Sequence, residues 1–275
     1  MALDLHDQWF LSLAQLRCSP TTKRLRASRH GRVVVDTTDA WLVWEPRRVV
    51  PEYAVPPAAF ADGGAELVDL PRQDVPPDLP PVLGPAHFDR HTCPGTPVAL
   101  RDAGGPEPVE IGFRPDDADL GGRIVLDFSR FDWLEEDQPV TGHAHDPYKR
   151  IDVLRSHRHV VVSLADGTVL ADTRDALAVY ETALPTRWYV PVADIARDLL
   201  TPSPTHTVCA YKGEASYLAA EAQGDVAWFY PDPLDDAVRL RDHVAFWSER
   251  CSVTVDGVPV GGGMPEAERP APGSL

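Results

Sequence analysis

The sequence predicts a mostly β protein made of two tandem, homologous β-rich domains with a few short helices. Of its 275 residues, 28 are prolines, about twice the usual share, and prolines favour short strands between turns over long helices. Residues 31–45 and 167–181 align without a gap and are identical at 8 of 15 positions. Because their separation of 136 residues is far too long for a solenoid repeat, it indicates two copies of one domain.

The charge and the apolar content limit the partners that the chain can have. With 26 basic and 42 acidic residues the formal net charge is −16, so neither nucleic acid nor an anionic membrane is expected as a partner. The apolar runs are too short for a transmembrane helix, and the first residues lack the features of a secretory signal. Four scattered cysteines fit reduced thiols. We therefore expect a cytoplasmic protein with a small-molecule ligand, and the oligomeric state stays open.

Two short helices are expected. An apolar stripe at helical spacing predicts the first over residues 4–16. The stripe consists of Leu5, Trp9, Leu13 and Leu16. Residues 192–200 are predicted as the second helix, because Pro191 suits the start of a helix.

Short apolar and β-branched segments predict the strands of the second domain. Asp166-Gly167 is typical of a hairpin turn, and it joins an extended segment at 159–164 to one at 169–171. Further strands are predicted at residues 176–181, 226–230, 244–247 and 252–255.

The domain boundaries follow from these elements. We predict an N-terminal helix within residues 1–19, a first domain at 20–150 and a second domain at 151–257. Residues 71–85 carry closely spaced prolines and are predicted to form a stiff, polyproline-like loop of the first domain. Residues 258–275 are rich in glycine, proline and glutamate, which is typical of a disordered tail.

Glu45 and Glu181 end equivalent predicted strands and are candidates for chemistry. Alternation along each strand places the carboxylate on an apolar face, where it must be paired or hydrogen-bonded. One alternative is structural, with each carboxylate paired to a nearby arginine, which would be Arg187, Arg47 or Arg48. The other is a pocket carboxylate that serves as a general base or holds a cation.

Cys209, Tyr211 and Lys212 form the densest group of reactive side chains. Only three of the 26 basic residues are lysines, Lys23, Lys149 and Lys212, as expected from an arginine-rich codon bias. A lysine retained under that bias marks a position that can require a compact amine. Lys212 can bind an anion or form a Schiff base, and Cys209 can be a nucleophile activated by the ammonium. The structural alternative is a Lys–Glu ion pair beside a thiol that only packs.

Polar and aromatic residues complete a predicted pocket in the second domain. The predicted ligand-binding residues are Arg187, Tyr189, His206, Tyr211, Trp228 and Tyr230. The aromatic members either line a pocket for a small organic ligand or belong to the hydrophobic core.

No cofactor and no metal are predicted. Histidines recur at short spacing in three places, but no Cys-x-x-Cys pair accompanies them. These places are His87, His91 and Cys93; His143 and His145; and His157 and His159. The glycine motifs that bind phosphates in nucleotide enzymes are also missing from the sequence.

Three segments, in their order and spacing, resemble a known family. They are residues 180–191 (YETALPTRWYVP), 206–217 (HTVCAYKGEASY) and 227–233 (AWFYPDP). Together with residues 44–56 and 146–156, they resemble the tandem members of the bacterial domain-of-unknown-function family 427, which also carries a nucleotidyltransferase-like label. The resemblance covers nearly the whole chain. It implies compact domains similar to the β-tent fold of methionine-sulfoxide reductase B, and it implies no particular activity.

The two copies differ where the second copy carries its lysine. The first copy has His91, Cys93 and Gly95 in the corresponding segment but no Tyr-Lys pair. If the lysine performs chemistry, only the second domain is complete.

The sequence therefore predicts a small-molecule enzyme with its pocket in the second domain. Lys212 would bind or activate an anionic or carbonyl group, and Glu181 would move protons or hold the lysine charged. The reaction class stays open. The alternatives are a non-catalytic module that binds a small ligand between aromatic walls, and a purely structural protein.

Overall fold

The computed structural model describes residues 2–60, 66–101, 107–221 and 223–260. The chain forms two compact units, the first extending to Asp146 and the second beginning at Pro147. Antiparallel sheets make up most of both units, which confirms the predicted mostly β fold class. Residues 261–275, which hold most of the predicted tail, lie outside the described residues.

The first unit begins with a helix, α1 (Leu5–Ser12), and continues as strands. Its strands are β1 (Arg17–Thr21), β2 (Leu25–Arg29), β3 (Arg32–Thr37), β4 (Ala40–Trp44), β5 (Glu52–Val55), β6 (Glu66–Asp69), β7 (Gly95–Arg101), β8 (Val109–Pro115), β9 (Ile124–Leu126), β10 (Asp132–Glu135) and β11 (Gln138–Val140). Its 3₁₀ turns are Pro57–Ala59, Pro85–His87, Ala118–Leu120 and Phe128–Arg130.

The second unit consists of strands and 3₁₀ turns. Its strands are β12 (Ile151–Ser156), β13 (Val160–Ser163), β14 (Val169–Thr173), β15 (Ala176–Glu181), β16 (Arg187–Pro191), β17 (Thr201–Cys209), β18 (Gly213–Ala220), β19 (Gly224–Phe229), β20 (His243–Phe246), β21 (Ser252–Val255) and β22 (Val258–Pro259). Its 3₁₀ turns are Val192–Asp194, Arg197–Leu199 and Asp235–Leu240.

The strands of the two units follow the same order. The first unit has a seven-stranded sheet, β1-β4-β5-β9-β8-β7-β6, and a four-stranded sheet, β11-β10-β2-β3. The second unit has a seven-stranded sheet, β12-β15-β16-β20-β19-β18-β17, and a four-stranded sheet, β14-β13-β21-β22. Counted from the first strand of each unit, the two seven-stranded orders are identical, and the four-stranded orders differ only in the direction of reading. The similar segments 31–45 and 167–181 therefore occupy equivalent places, β3–β4 and β14–β15.

The seven-stranded sheet of the second unit buries side chains on both of its faces. Alternation along β15 sends Ala176 and Ala178 into the core shared with the four-stranded sheet. Leu177 and Val179 point to the opposite face, which packs against the 3₁₀ turn Asp235–Leu240. We call this opposite face the outer face, because the candidate site lies on it.

The N-terminal helix is shorter and less buried than predicted. It ends at Ser12, before the predicted end at residue 16, and β1 begins at Arg17, within the stretch 1–19 assigned to the helix. The side chain of Leu5 is 79% exposed, and Leu13, just after the helix, is the buried member of the predicted stripe. The apolar stripe therefore contributes little to the core.

The second predicted helix, at 192–200, is wrong. Ile195 instead forms a β-bridge with Ala171, and the Ala196 N–H donates to the Leu170 carbonyl at 2.8 Å. These bonds to β14 satisfy backbone groups that a helix would use internally, so tertiary contacts override the local preference.

The predicted hairpin at Asp166-Gly167 is present. β13 and β14 pair antiparallel around it, and Gly167 has φ +88°, a conformation that favours glycine. At the other end of the unit, Val258–Pro259 form β22 against β21 rather than the start of a tail.

Candidate functional site

Lys212 and Glu181 meet on the outer face of the second unit. Glu181 is the last residue of β15, and Lys212 lies in the turn between β17 and β18, directly before Gly213. Gly213 has φ +97°, which lets the chain reverse there without strain. The Lys212 Nζ donates to Glu181 Oε1 at 2.5 Å, and the two side chains are only 10% and 5% exposed. This is a largely buried ion pair that still reaches the surface.

Aromatic side chains surround the ion pair on the same face. The Lys212 Nζ lies 5.9 Å from the ring centroid of Tyr230. The Trp228 Nε1 donates to the Tyr189 hydroxyl oxygen at 3.1 Å, and these two rings meet edge to face at 6.2 Å. All three aromatic side chains are at least nine-tenths buried. Three of the predicted ligand-binding residues therefore lie in one cluster with the predicted catalytic pair.

The electrostatics of the cluster keep the amine protonated. Burial alone lowers the pKa of Lys212, but the facing Tyr189, Glu181 and Cys209 outweigh it and raise that pKa. Burial raises the pKa of Tyr189 to about 12, so its phenol is neutral near pH 7. A permanently charged ammonium is a poor nucleophile. This favours anion or carbonyl binding over the Schiff-base alternative.

The predicted thiol and the predicted histidine lie on opposite faces of β17. The burial of β17 alternates, with Thr207 and Cys209 turned inward and His206 and Val208 turned outward. His206 pairs with Glu214 at 3.2 Å on the surface, where its side chain is 52% exposed. His206 is therefore not part of the Lys212 cluster, and its prediction as a ligand-binding residue is corrected.

Arg187 packs against the aromatic residues and does not contact the Glu181 carboxylate. Its guanidinium pairs with Glu249 at 2.8 Å, and it lies 5.7 Å and 5.6 Å from the ring centroids of Trp228 and Trp247. The partner of Glu181 is Lys212, so the arginine pairing considered for Glu181 does not occur. Arg187 reaches the candidate site only through Trp228.

Each of the three lysines of the chain holds a specific contact. Lys23 pairs with the buried Glu135 of the first unit at 2.6 Å, Lys212 pairs with Glu181, and the Lys149 Nζ lies 5.9 Å above the ring centroid of Tyr211. The scarcity of lysine was thus a useful signal. Tyr211 contacts Lys149, on the flank of the cluster.

The first unit places a different partner at the position of Lys212. Pro97 faces Phe113 across β7–β8 just as Tyr217 faces Trp228 across β18–β19. If we count five residues back from Pro97 and from Tyr217, Thr92 lies at the position of Lys212. The sequence alignment that matched Cys93 to Cys209 therefore differs from the structural alignment of the strands. The Thr92 N–H donates to Glu45 Oε2 at 2.6 Å.

Glu45 is the centre of a buried polar network that the sequence did not predict. Its carboxylate lies 2.9 Å from His91 Nδ1 and 3.8 Å from the Arg48 guanidinium. Arg48 also pairs with Glu52 at 3.2 Å, and Glu45, Arg48 and Glu52 have no exposed side-chain surface. Burial raises the pKa of Glu52 well above its usual range, with Arg48 opposing this effect. Of the arginines considered for Glu45, it is thus Arg48 that pairs with it.

Of the six spaced histidines, five have protein partners, whereas the buried Nδ1 of His87 has no hydrogen-bond partner among the described residues. His91 contacts Glu45, His145 contacts Glu135 and His159 contacts Asp172, each at a carboxylate. His143 and His157 contact backbone carbonyls. Among the residues that the structure describes, no three His, Cys, Asp or Glu side chains are grouped so that they could hold a metal ion.

Two cavities, of about 210 and 430 Å³, lie in the first unit. The smaller is lined in part by His91, Cys93 and Phe113, beside the Glu45 network. The larger is lined in part by Phe88 and Trp133. The sequence predicted a pocket in the second unit and none in the first.

The comparisons with known proteins concern the second unit. Residues 152–257 match the model of a family described as Domain of unknown function (DUF427), which confirms the resemblance for this part of the chain. No curated protein matches the chain. Within the described residues, every helix is too short or too polar to cross a membrane.

Proposed function

We propose that the second unit binds a small organic metabolite at Lys212 and acts on it with Lys212 and Glu181. The observation that carries the proposal is the 2.5 Å ion pair, which is largely buried and yet reaches the surface among aromatic rings. A bound anionic or carbonyl oxygen would accept a hydrogen bond from the Lys212 ammonium. The protein would work in the cytoplasm of a bacterium.

The chemistry of the pair suits polarisation of an oxygen atom. An ammonium has three donors, and among the described residues Lys212 uses one of them, on Glu181. The remaining donors are available to a ligand, and the raised pKa keeps them charged. Glu181 would orient the ammonium and accept a proton from the ligand, which is the usual role of a carboxylate in general base catalysis.

A non-catalytic ligand-binding module is the second candidate, and the aromatic cluster favours it. Trp228 and Tyr230, which pack with the buried Tyr189, lie beside one fixed cation. That combination recognises a small ring compound with an anionic group without needing a reaction. Turnover of a bound compound separates the two candidates.

We also propose that the first unit is a diverged tandem copy of the second. The shared strand order and the aligned segments 31–45 and 167–181 support this. The first copy has kept the carboxylate, as Glu45, and has Thr92 in place of the lysine.

The test measures binding of acetate, pyruvate and benzoate to the whole protein by nuclear magnetic resonance (NMR) shift changes of the Trp228 indole. Wild type is expected to bind at least one of them saturably, and Lys212→Met to bind it about tenfold or more weakly, since a hydrogen bond to a charged group is lost. Lys149→Met is the matched control, because Lys149 lies in the same unit and contacts Tyr211 instead. Cys209→Ser is expected to bind normally.

Two results would contradict the proposal. One is equal binding by Lys212→Met and wild type, which would place the ligand elsewhere. The other is saturable binding of none of the three compounds, because the ion pair would then have a structural role only.

A further inference from the structure

The smaller cavity of the first unit has the features of a second ligand site. Its volume is about 210 Å³, smaller than the roughly 300–1,000 Å³ of pockets that hold drug-sized ligands. His91, Cys93 and Phe113 form part of its wall, and Asp89 and Arg90 lie at its exposed rim. A cavity of this size suits a ligand of a few heavy atoms.

His91 is held in one orientation by buried neighbours. Its Nδ1 lies 2.9 Å from Glu45 Oε1, and its ring stacks on Phe113 with centroids 3.9 Å apart and planes 9° apart. Gly95 makes room for Phe113, because a Cβ at that position would lie 2.5 Å from the Phe113 ring. His91 lines the cavity with one face on Phe113, and its Nε2 edge is the one that Glu45 does not hold.

The state of Glu45 determines the tautomer of His91. Burial raises the pKa of Glu45, but its bonds to His91 and Thr92 and the charge of Arg48 outweigh this and lower it. An ionised carboxylate only accepts hydrogen bonds, so Nδ1 carries the hydrogen. In the neutral ring Nε2 is then an acceptor, and no described residue donates to it, although the His91 side chain is 7% exposed.

The wall behind His91 is rigid. Arg48, fully buried, donates to the carbonyl oxygens of His87 at 3.1 Å and of Arg90 at 2.6 Å. These bonds fix the segment that ends at His91. The acceptor and the rim are therefore preorganised, which lowers the entropic cost of binding.

We propose that this cavity binds a small amino- or hydroxycarboxylate. The hydroxyl or ammonium group of the ligand donates to His91 Nε2, and its carboxylate pairs with Arg90, whose guanidinium has no ion-pair partner among the described residues. Asp74 and Asp89 at the rim disfavour an anion without a hydrogen-bond donor and favour a ligand that also carries a hydroxyl or, more strongly, an ammonium group. This site is independent of the one proposed at Lys212, because it lies in the other unit.

The experiment uses the full-length chain and follows the His91 ring by long-range ¹H–¹⁵N NMR. The free protein is expected to show the hydrogen on Nδ1 and a bare Nε2. L-Serine and glycolate are the probes, and at least one is expected to shift Nε2 saturably at millimolar concentration. Acetate, which lacks the donor, and ethanolamine, which lacks the carboxylate, are expected to bind about tenfold more weakly. Serine binding without glycolate binding would identify the amino acid as the class, and the reverse would identify the hydroxy acid.

Three variants test the assignment of roles. His91→Asn is expected to keep a donor near Glu45 and to lose the Nε2 acceptor. The affinity of the folded variant for the probe should therefore fall about tenfold. Arg90→Gln should lower the affinity for the probe by a similar factor. Arg101→Gln is the matched control, since Arg101 is an exposed arginine of the same unit that pairs with Glu66, and it should bind normally.

The proposal is overturned if the neutral His91 ring carries its hydrogen on Nε2, or if neither serine nor glycolate binds saturably. It is also overturned if His91→Asn and wild type bind the probe equally well. The tautomer is read on the wild-type protein, so the test stands even where a variant fails to fold. Lys212→Met is expected to leave this binding unchanged, which keeps the result separate from the site of the second unit.

Discussion

The two units share one strand order but distribute their aromatic side chains differently between the two faces of the seven-stranded sheet. On the outer face of the second unit, the aromatic side chains Tyr189, Tyr217, Trp228 and Tyr230 occupy the ladder positions held in the first unit by Ala54, Pro97, Phe113 and Pro115. The second unit has thus built its outer face from large rings. At these four positions the first unit has only Phe113 as an aromatic residue, and Trp41 lies on the same face beside Ala54 and Val125.

The core side also differs, although both units have aromatic side chains there: Trp188 and Phe246 lie in the core of the second unit. The first unit packs Phe128, Phe131 and Trp133 near its four-stranded sheet, and Trp133 pairs with Ala27 where Val253 pairs with Val162 in the second unit. A fixed backbone can therefore carry its aromatic volume on either side, as long as each core stays filled.

A carboxylate is common to both units, as Glu45 directly after β4 and as Glu181 at the end of β15, and its partners differ. Glu181 has a single lysine near the surface, whereas Glu45 is closed in by Arg48, His91 and Thr92. In the second unit, the Lys212 ammonium can still bind a ligand. In the first unit, the carboxylate is a support for His91. The partners, rather than the carboxylate, determine what each unit can do.

Arg48→Met is expected to give the largest effect, because it removes the centre of the first unit's network. Glu45 loses its nearby cation, and the carbonyls of His87 and Arg90 lose their donor. Breaking a buried pair from one side costs about 3–5 kcal/mol. Urea unfolding, followed by NMR signals of each unit, should show this loss in the first unit.

Arg47→Met is the control for that substitution. Arg47 is exposed and donates to the Leu79 carbonyl at 3.1 Å, so it should cost less than about 1 kcal/mol. Equal losses for the two neighbours would contradict the view that the first unit depends on a buried network.

Lys212→Met is expected to destabilise the second unit by about 3 kcal/mol, since it leaves Glu181 with an unpaired, largely buried charge. The double variant Lys212→Met/Glu181→Leu should regain most of the lost unfolding free energy, because no uncompensated charge remains. The measurement is a double-mutant cycle of urea unfolding. Additive effects of the two substitutions would show that the 2.5 Å pair is not energetically coupled.

A pH dependence should separate the units. Hydrogen bonds from His145, Lys23 and Tyr53 outweigh burial and lower the pKa of Glu135 to about 2. A carboxyl with a lowered folded-state pKa stabilises above its unfolded pKa of about 4.3, and this contribution is lost as the pH falls towards 2. The second unit has Val255 at the equivalent place in its ladder.

The urea midpoint of the first unit should therefore fall between about pH 4.3 and pH 2 by more in wild type than in Glu135→Gln. The effect is smaller than that of the two ion-pair substitutions, because Lys23 is 46% exposed and water screens its charge. If the urea midpoints of wild type and Glu135→Gln depend on pH in the same way, Glu135 does not contribute to the acid sensitivity of the first unit.

His206→Ala is expected to have the smallest effect. The His206–Glu214 pair is exposed on both sides, so its loss should change the unfolding free energy by less than about 0.5 kcal/mol and leave ligand binding at Lys212 intact. His91, its sequence counterpart in the first unit, is buried, so His91→Ala should cost more. Loss of binding in His206→Ala would reverse the correction made for this residue.

Local features of the sequence were sufficient to predict much of the second unit. The Asp166-Gly167 pair predicted the turn in which Gly167 has a positive φ, and the apolar segment 176–181 predicted β15 with its actual bounds. Alternation also placed Glu181 on an apolar face of the sheet. These features depend on residues close in sequence, so the chain encodes them without reference to distant segments.

The contacts between distant segments were decided by the tertiary structure. Residues 192–200 became 3₁₀ turns because β14 offered them backbone partners. Alternation on β17 separated His206 from Cys209 only once the sheet had assigned an inside and an outside to that strand.

The buried network of the first unit depends most strongly on the fold. Glu52 reads in sequence as an ordinary surface charge, and Arg48 is only one of two neighbouring arginines that could pair with Glu45. Residues with such side chains are almost never fully buried unless they are paired. The segment from His87 to His91 supplies the carbonyls and the imidazole that pair them. Local sequence sets which face of a strand a side chain occupies, whereas burial of a charge requires partners that only the folded chain brings within hydrogen-bonding distance.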